Sequence, residues 1–278
     1  MLLRTSQVES SSTSTFSFDI AGMSVSVSCN DASLIEELST RYRDFACSSP
    51  AQLRVHVELS GLHRTSTYID AESCFEDGIL HFTTAGYEGF IDVEMGIGRL
   101  SLSSDRPAED VEYLLRVTYA LLAFDAGSIL FHAAGIIRET QASVFFGHSG
   151  SGKTTIARLC CDDVILNDDL VLLNPHGSKW LAYATPFWTP SQVVPTGRNK
   201  ARLSGIFRLV QDQHVYLEEM GRGQALAELI SNIPVIPEDP TRVERLLEIV
   251  GYLQNTVPCY RLHFVPDNSF WKAIDSLQ

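Results

Sequence analysis

Positive charge is scarce in this chain: 21 Lys and Arg stand against 34 Asp and Glu, a net charge of −13 over 278 residues. A surface that acidic repels nucleic acid and anionic membrane, so neither is expected as a main partner. No apolar run approaches the roughly 20 residues of a membrane-spanning helix. Met1-Leu2-Leu3-Arg4 lacks the apolar stretch of a signal peptide, and a cytoplasmic protein is expected. The 6 cysteines (Cys29, Cys47, Cys74, Cys160, Cys161 and Cys259) form no C-x-x-C pair, which argues against a zinc or disulfide framework. Internal repeats are missing too. What is there is ordinary globular composition, 45% hydrophobic and 20% charged, in a length sufficient for two domains.

Residues 5–15 are mostly Ser and Thr, so residues 1–15 are expected to be a disordered N-terminus. Phe16–Ile20 and Met23–Val27 alternate in period two around Ala21-Gly22 and predict a hairpin. Leu34, Ile35, Leu38 and Tyr42 then share one helix face behind Asp31. Alternation returns at 53–59, 79–82, 90–93 and 100–102. Residues 16–106 therefore predict a small α+β domain, an antiparallel sheet with one covering helix. Pro107 opens a strong helix, and the second domain is expected to run from 107 to 278. It begins with strand-like 128–131 and 134–137. Later, 206–210 and 214–217 flank Gln211-Asp212-Gln213 as a hairpin, and helices at 223–231 and 240–253 precede a last strand at 260–264.

The densest chemistry lies at Gly147-His148-Ser149-Gly150-Ser151-Gly152-Lys153-Thr154, a complete G-x-x-x-x-G-K-[ST] loop. An apolar strand, 142–146, precedes it and a helical run, 155–160, follows, which is the context that the motif requires. Such a loop turns tightly at its glycines and aims backbone N–H groups at a phosphate chain. Lys153 is then expected to reach the outer phosphates and Thr154 to bind Mg²⁺, so ATP with magnesium is the expected ligand. Gly147, Ser149, Gly150, Ser151, Gly152 and Thr155 complete the expected nucleotide site.

Asp168-Asp169 follows the apolar strand 164–166. A carboxylate there suits an acid that orients a metal or accepts a hydroxyl proton, although two solvated turn residues would look the same. Successive strand residues point to opposite faces, so the two acids must differ in role. Asp162-Asp163 reads as a surface loop, and His148 as a filler of a variable loop position. Lys179-Trp180 and Thr185–Trp188 suggest an aromatic loop near a pocket or simply core packing. Arg198, Lys200 and Arg202 form a basic cluster that could clamp phosphates or sit solvated.

The segment His132–Asp169 resembles the HPr kinase/phosphorylase family, whose fold is related to ATP-dependent phosphoenolpyruvate carboxykinase. Its pieces here are His132, the loop 147–154, and Asp168-Asp169, with an interval of 15 residues from His132 to Gly147. The resemblance implies an α/β fold: a P-loop, HPr-kinase-like core with a mixed sheet, preceded by the small α+β domain. By the same resemblance Asp168 would act on the serine hydroxyl as acid/base, Asp169 would be a metal-side partner, and His132 would lie near the transferred phosphoryl group. His148 and Thr155 stand where the family usually has Asp and Glu, and its later substrate-side signature is missing. Segments 203–209 and 257–262 look more like divergent members associated with peptide-modification gene clusters, lasso-peptide kinases included. The expected function is an ATP/Mg²⁺-dependent kinase acting on a serine of a peptide or small protein. The alternative is a nucleotide-binding accessory protein that recognises a precursor peptide with little or no phosphoryl transfer. The acceptor, the base preference and the assembly state, a homo-oligomer included, stay open.

Overall fold

The computed structural model describes residues 13–64, 72–83, 86–189, 192–234 and 240–277. They build an α/β protein with two mixed sheets and divide into two compact units. One unit holds the described residues up to Phe18 together with Ser24–Val111; the other holds Asp19–Met23 and Glu112 onward. The expected boundary before Pro107 thus falls a few residues short of the division, which runs inside a helix. Most of the expected unstructured stretch lies outside the described residues, and Ser14 already begins a strand.

The N-terminal sheet has seven strands: β1 (Ser14–Ile20), β2 (Met23–Cys29), β3 (Leu53–Arg64), β4 (Glu72–Glu76), β5 (Ile79–Thr83), β6 (Tyr87–Asp92) and β7 (Ile97–Ser104). Their order is β1-β2-β3-β7-β6-β5-β4. Ala21 and Gly22, with φ of 57° and 87°, make the tight turn from β1 to β2. Helix α1 (Ala32–Arg41) starts where Asp31 accepts hydrogen bonds from the Ser33 and Leu34 N–H groups. It buries Leu34, Ile35 and Leu38 and carries the chain from β2 to β3. A helical crossover delivers a parallel strand, and β2 with β3 and β3 with β7 are indeed parallel. The sheet is therefore mixed, which corrects the purely antiparallel expectation. Alternation alone does not carry strand direction.

Helix α2 (Pro107–Asp125) leads to β8 (Ile129–Arg138), β9 (Gln141–Phe146) and α3 (Lys153–Leu159). Next come β10 (Val164–Asn167), β11 (Leu170–His176), β12 (Lys179–Tyr183), β13 (Lys200–Gln211) and β14 (Tyr216–Glu219). Helices α4 (Arg222–Ile230) and α5 (Pro240–Thr256), strand β15 (Cys259–Phe264) and helix α6 (Phe270–Asp275) complete the described chain. The two apolar stretches 128–131 and 134–137 fuse into the single strand β8. The expected hairpin between β13 and β14 does not form: β15 pairs with both, parallel to β13 and antiparallel to β14. The chain does reverse after Gln211, but β15 lies between the two strands that the reversal joins.

Pairings β8–β11, β11–β12, β12–β13, β13–β9 and β9–β8 return to their starting point, so these five strands close a ring. On one side a core of Ala134, Ile136, Phe145, Phe207, Leu209, Leu262 and Phe264 packs on Ile156 and Ala157 of α3 and on Phe270 and Trp271 of α6. Cys160 is buried in that core and Cys161 is exposed. Strands β9, β13 and β15 run parallel, so their C-terminal ends share one edge. The loop 147–154 leaves the sheet at that edge, where open α/β sheets place ligands.

Candidate functional site

The loop between β9 and α3 turns at three glycines with positive φ: Gly147 at 150°, Gly150 at 78° and Gly152 at 111°. At Gly147 and Gly152 side chains are excluded by space as well as by torsion. A Cβ on Gly147 would come within 2.8 Å of Ser151 Oγ, and one on Gly152 within 2.6 Å of the Phe264 ring. From the neighbouring strand, Gln211 donates to the Gly150 carbonyl at 2.8 Å and ties the loop's crest to β13. Lys153 is only 8% exposed, and its ammonium folds back onto the carbonyls of Gly147 (2.9 Å) and His148 (3.4 Å). Burial pushes the Lys153 pKa down, against the opposing pull of the Asp169 and Asp168 charges. Ser151 Oγ is buried without a partner among the described residues, while His148, Ser149, Gly150 and Thr155 are exposed.

The acidic pair sits inside an almost continuous strand. Asn167 faces Gly135 and Leu170 faces His132, both along β8, so Asp168 and Asp169 interrupt one antiparallel run. Asn167, fully buried, holds this kink. Its Oδ1 accepts from the Asp169 and Leu170 N–H groups at 2.7 and 2.9 Å. Its amide donates to the Thr185 and Phe187 carbonyls at 3.2 and 2.8 Å. The loop 185–187 is thus core packing that clamps Asn167.

The two acids differ as alternation demands. Asp168 is 2% exposed; its Oδ2 accepts from the Val193 N–H at 3.2 Å, and the Thr154 hydroxyl donates to its carboxylate. Its Oδ1 is buried with no partner among the described residues. Burial raises the Asp168 pKa and the neighbouring Asp169 charge adds to that, outweighing the hydrogen bonds from Val193, Thr154 and its own backbone. Asp169 has both oxygens engaged: Oδ1 lies 3.0 Å from His132 Nε2, and Oδ2 accepts from Arg116 Nη1 at 2.9 Å. Burial alone would raise its pKa as well, but the bonds and charges of His132 and Arg116, with a bond from Gln192, bring it well below the usual carboxylate range. Arg116 in turn holds Glu112 at 2.7 Å, one helical turn earlier on α2.

Lys153, Thr154 and Asp168 therefore come together, and His132 and Asp169 form a second group beside them. His132, expected near the transferred phosphoryl group, bonds Asp169, the residue after Asp168. By register it also borders the loop, because Ala133 faces Phe146 and His132 is the next position toward Gly147. Each Asp169 oxygen already has a partner, His132 on Oδ1 and Arg116 on Oδ2. Of the basic cluster, Arg198 pairs with Asp19 and the Lys200 ammonium lies 5.3 Å over the Tyr183 ring. Three contributors were missed: Asn167, Gln192 and Arg116. Arg116 is the single basic residue in α2, and its pairing with Glu112 at i,i+4 is legible in sequence. Its bond to Asp169, 53 residues on, is not.

No family model and no curated protein matches this sequence. Among solved structures the chain is similar to the Hpr(Ser) kinase/phosphatase from Coxiella burnetii. The identity is 10%, the match covers 53% of this chain and 95% of that one, and the TM-score is 0.28. A likeness that distant carries no argument, so function rests on the site itself.

Proposed function

We propose that this chain binds a nucleoside triphosphate with magnesium on residues 147–154 and transfers its γ-phosphoryl group to a serine hydroxyl of a peptide or small protein. The observation that carries the reading is Asp168, a buried carboxylate bonded to Thr154 of the loop with one oxygen left unpartnered. A solvated turn residue would have neither the burial nor the contact. The raised pKa makes the carboxylate a stronger base toward the serine hydroxyl proton.

The loop glycines leave room for phosphate oxygens against the backbone. Lys153, released from its two loop carbonyls, donates to the outer phosphates. The hard oxygens of Thr154 and its neighbour Asp168 fit magnesium, and Thr154 would hold the ion, which when bound offsets the charge of the phosphates. The acceptor oxygen bonds the γ-phosphorus while the bond from phosphorus to the β–γ bridging oxygen breaks. The nucleoside diphosphate leaves with that electron pair, and the acceptor's proton passes to Asp168. Asp169, fixed by His132 and Arg116, supports this arrangement from the side.

Calorimetry with Mg·ATP, followed by transfer of labelled γ-phosphate to serine peptides, tests the reading. If the wild-type chain binds no Mg·ATP, the proposal fails outright. Binding without transfer to any peptide would favour the accessory-protein alternative.

A further inference from the structure

Beside the His132–Asp169–Arg116 group lies a cavity of about 270 Å³. His132, Asp169 and Arg116, with Ser231 and Asn232, supply its polar part; Tyr113, Val117, Leu170 and Ile233 supply apolar wall. We propose that this cavity is the acceptor subsite, and that its occupant is a peptide segment presenting a serine hydroxyl beside an apolar side chain. The inference deepens the kinase reading and rests on it.

Three observations select that occupant. The first is position: the cavity is lined by Asp169, whose neighbour Asp168 carries the unpartnered oxygen and the bond to Thr154. The His132 end of the cavity borders the loop 147–154 by the register of β8 on β9. The second is size. At about 270 Å³ the cavity lies at the lower end of ligand sites, a volume that one or two residues of a longer chain fill. The third is charge. Among the described residues Arg116 is the one Lys or Arg that lines the cavity, and its guanidinium is already bonded to two carboxylates, Glu112 and Asp169. A phosphorylated metabolite or an acidic peptide would meet no uncommitted positive charge, and would face the Asp169 carboxylate. A neutral, apolar flank meets matching wall.

The test uses fluorescein-labelled serine peptides that differ only in the residue next to serine: Leu, Phe, Glu or Lys. Binding to the full chain is read by anisotropy, with and without Mg²⁺ and a non-hydrolysable ATP analogue. Peptides with Leu or Phe should bind about tenfold or more tightly than the Glu peptide, the worth of one apolar side chain moved out of water. Val117→Trp, which fills the cavity, should erase that preference while analogue affinity stays at the wild-type value. Ile233→Trp, which fills the cavity from another segment, should do the same and covers the case in which Val117→Trp does not fold. A preference for the Glu peptide, no peptide bound in either condition, or a preference unchanged in the folded variants would each overturn the proposal. Failure of the analogue to bind the wild type would sink the kinase reading instead, and the peptide series without nucleotide would still decide the cavity.

Discussion

His132 Nε2 stands 3.0 Å from Asp169 Oδ1, on a carboxylate whose other oxygen already carries Arg116. The imidazole is thereby fixed in orientation by an acid that remains ionised across the neutral range. Two residues 37 positions apart (169 − 132) become one unit, placed beside the glycine loop by the register of β8 on β9. His132→Ala should slow phosphoryl transfer more than it weakens nucleotide binding. Equal losses in both would make His132 part of the nucleotide site alone.

Asp169 also gives a pH signature. A carboxyl whose folded pKa is depressed stabilises the fold at every pH above its unfolded value, about 3.9, and loses that contribution as pH falls through the folded value. The stability gap between the wild type and Asp169→Asn should be flat from about pH 5 upward and shrink below about pH 4. Urea midpoints of both proteins across that range measure it. A gap that is unchanged at about pH 3 would mean that Asp169 is not held ionised by its neighbours.

Asp168 predicts the opposite sign. Its folded pKa is raised, so the stability linked to its proton is present below the unfolded pKa and lost as pH rises through the folded one. At neutral pH the ionised group burdens the fold. Asp168→Asn removes that burden while an amide oxygen can keep the bonds from Val193 and Thr154. The variant should melt higher than the wild type at pH 7 and transfer phosphate about 10² to 10⁴ times more slowly. A lower melting temperature together with full turnover would leave Asp168 a structural residue.

Lys153→Ala should leave the fold intact and weaken Mg·ATP binding by about 100-fold or more, the worth of a charge-assisted phosphate contact in a dry site. Calorimetry reads this directly. Undiminished affinity would remove the loop from the nucleotide site.

Much of this was legible because the signals are local. The period-two runs around β1 and β2, the Asp31 cap, and the G-x-x-x-x-G-K-[ST] loop each need only a few consecutive residues. What stayed hidden depends on pairs distant in sequence. Alternation in β3 and β7 says nothing of their parallel direction, and β15 enters between β13 and β14 from some 40 residues away (259 − 219). The acidic pair was visible as chemistry, but its division of labour was not. Only the fold brings Arg116 of α2 onto Asp169, and only the Asn167 clamp sets the kink that turns Asp168 toward Thr154.

The two inner glycines of the loop separate torsional strain from a steric wall. Gly150 and Gly152 both have positive φ, at 78° and 111°, but a Cβ on Gly150 meets nothing within 4 Å. Gly150→Ala should therefore cost only the left-handed penalty, about 1–2 kcal/mol. A Cβ on Gly152 would press to 2.6 Å on the Phe264 ring, which is 2% exposed in the core beneath α3 and has no space to withdraw. Gly152→Ala should lose about 1–3 kcal/mol beyond the torsional penalty, as overpacking does, and should distort the start of α3 where Lys153 and Thr154 stand. Urea denaturation of the two variants gives the difference, and Mg·ATP calorimetry shows whether the site shifts with it. Phe264→Leu in the Gly152→Ala background should restore part of both, because it removes the ring that the new methyl strikes. If Gly150→Ala proves as damaging as Gly152→Ala, the contact between loop and core is not what shapes the phosphate cradle.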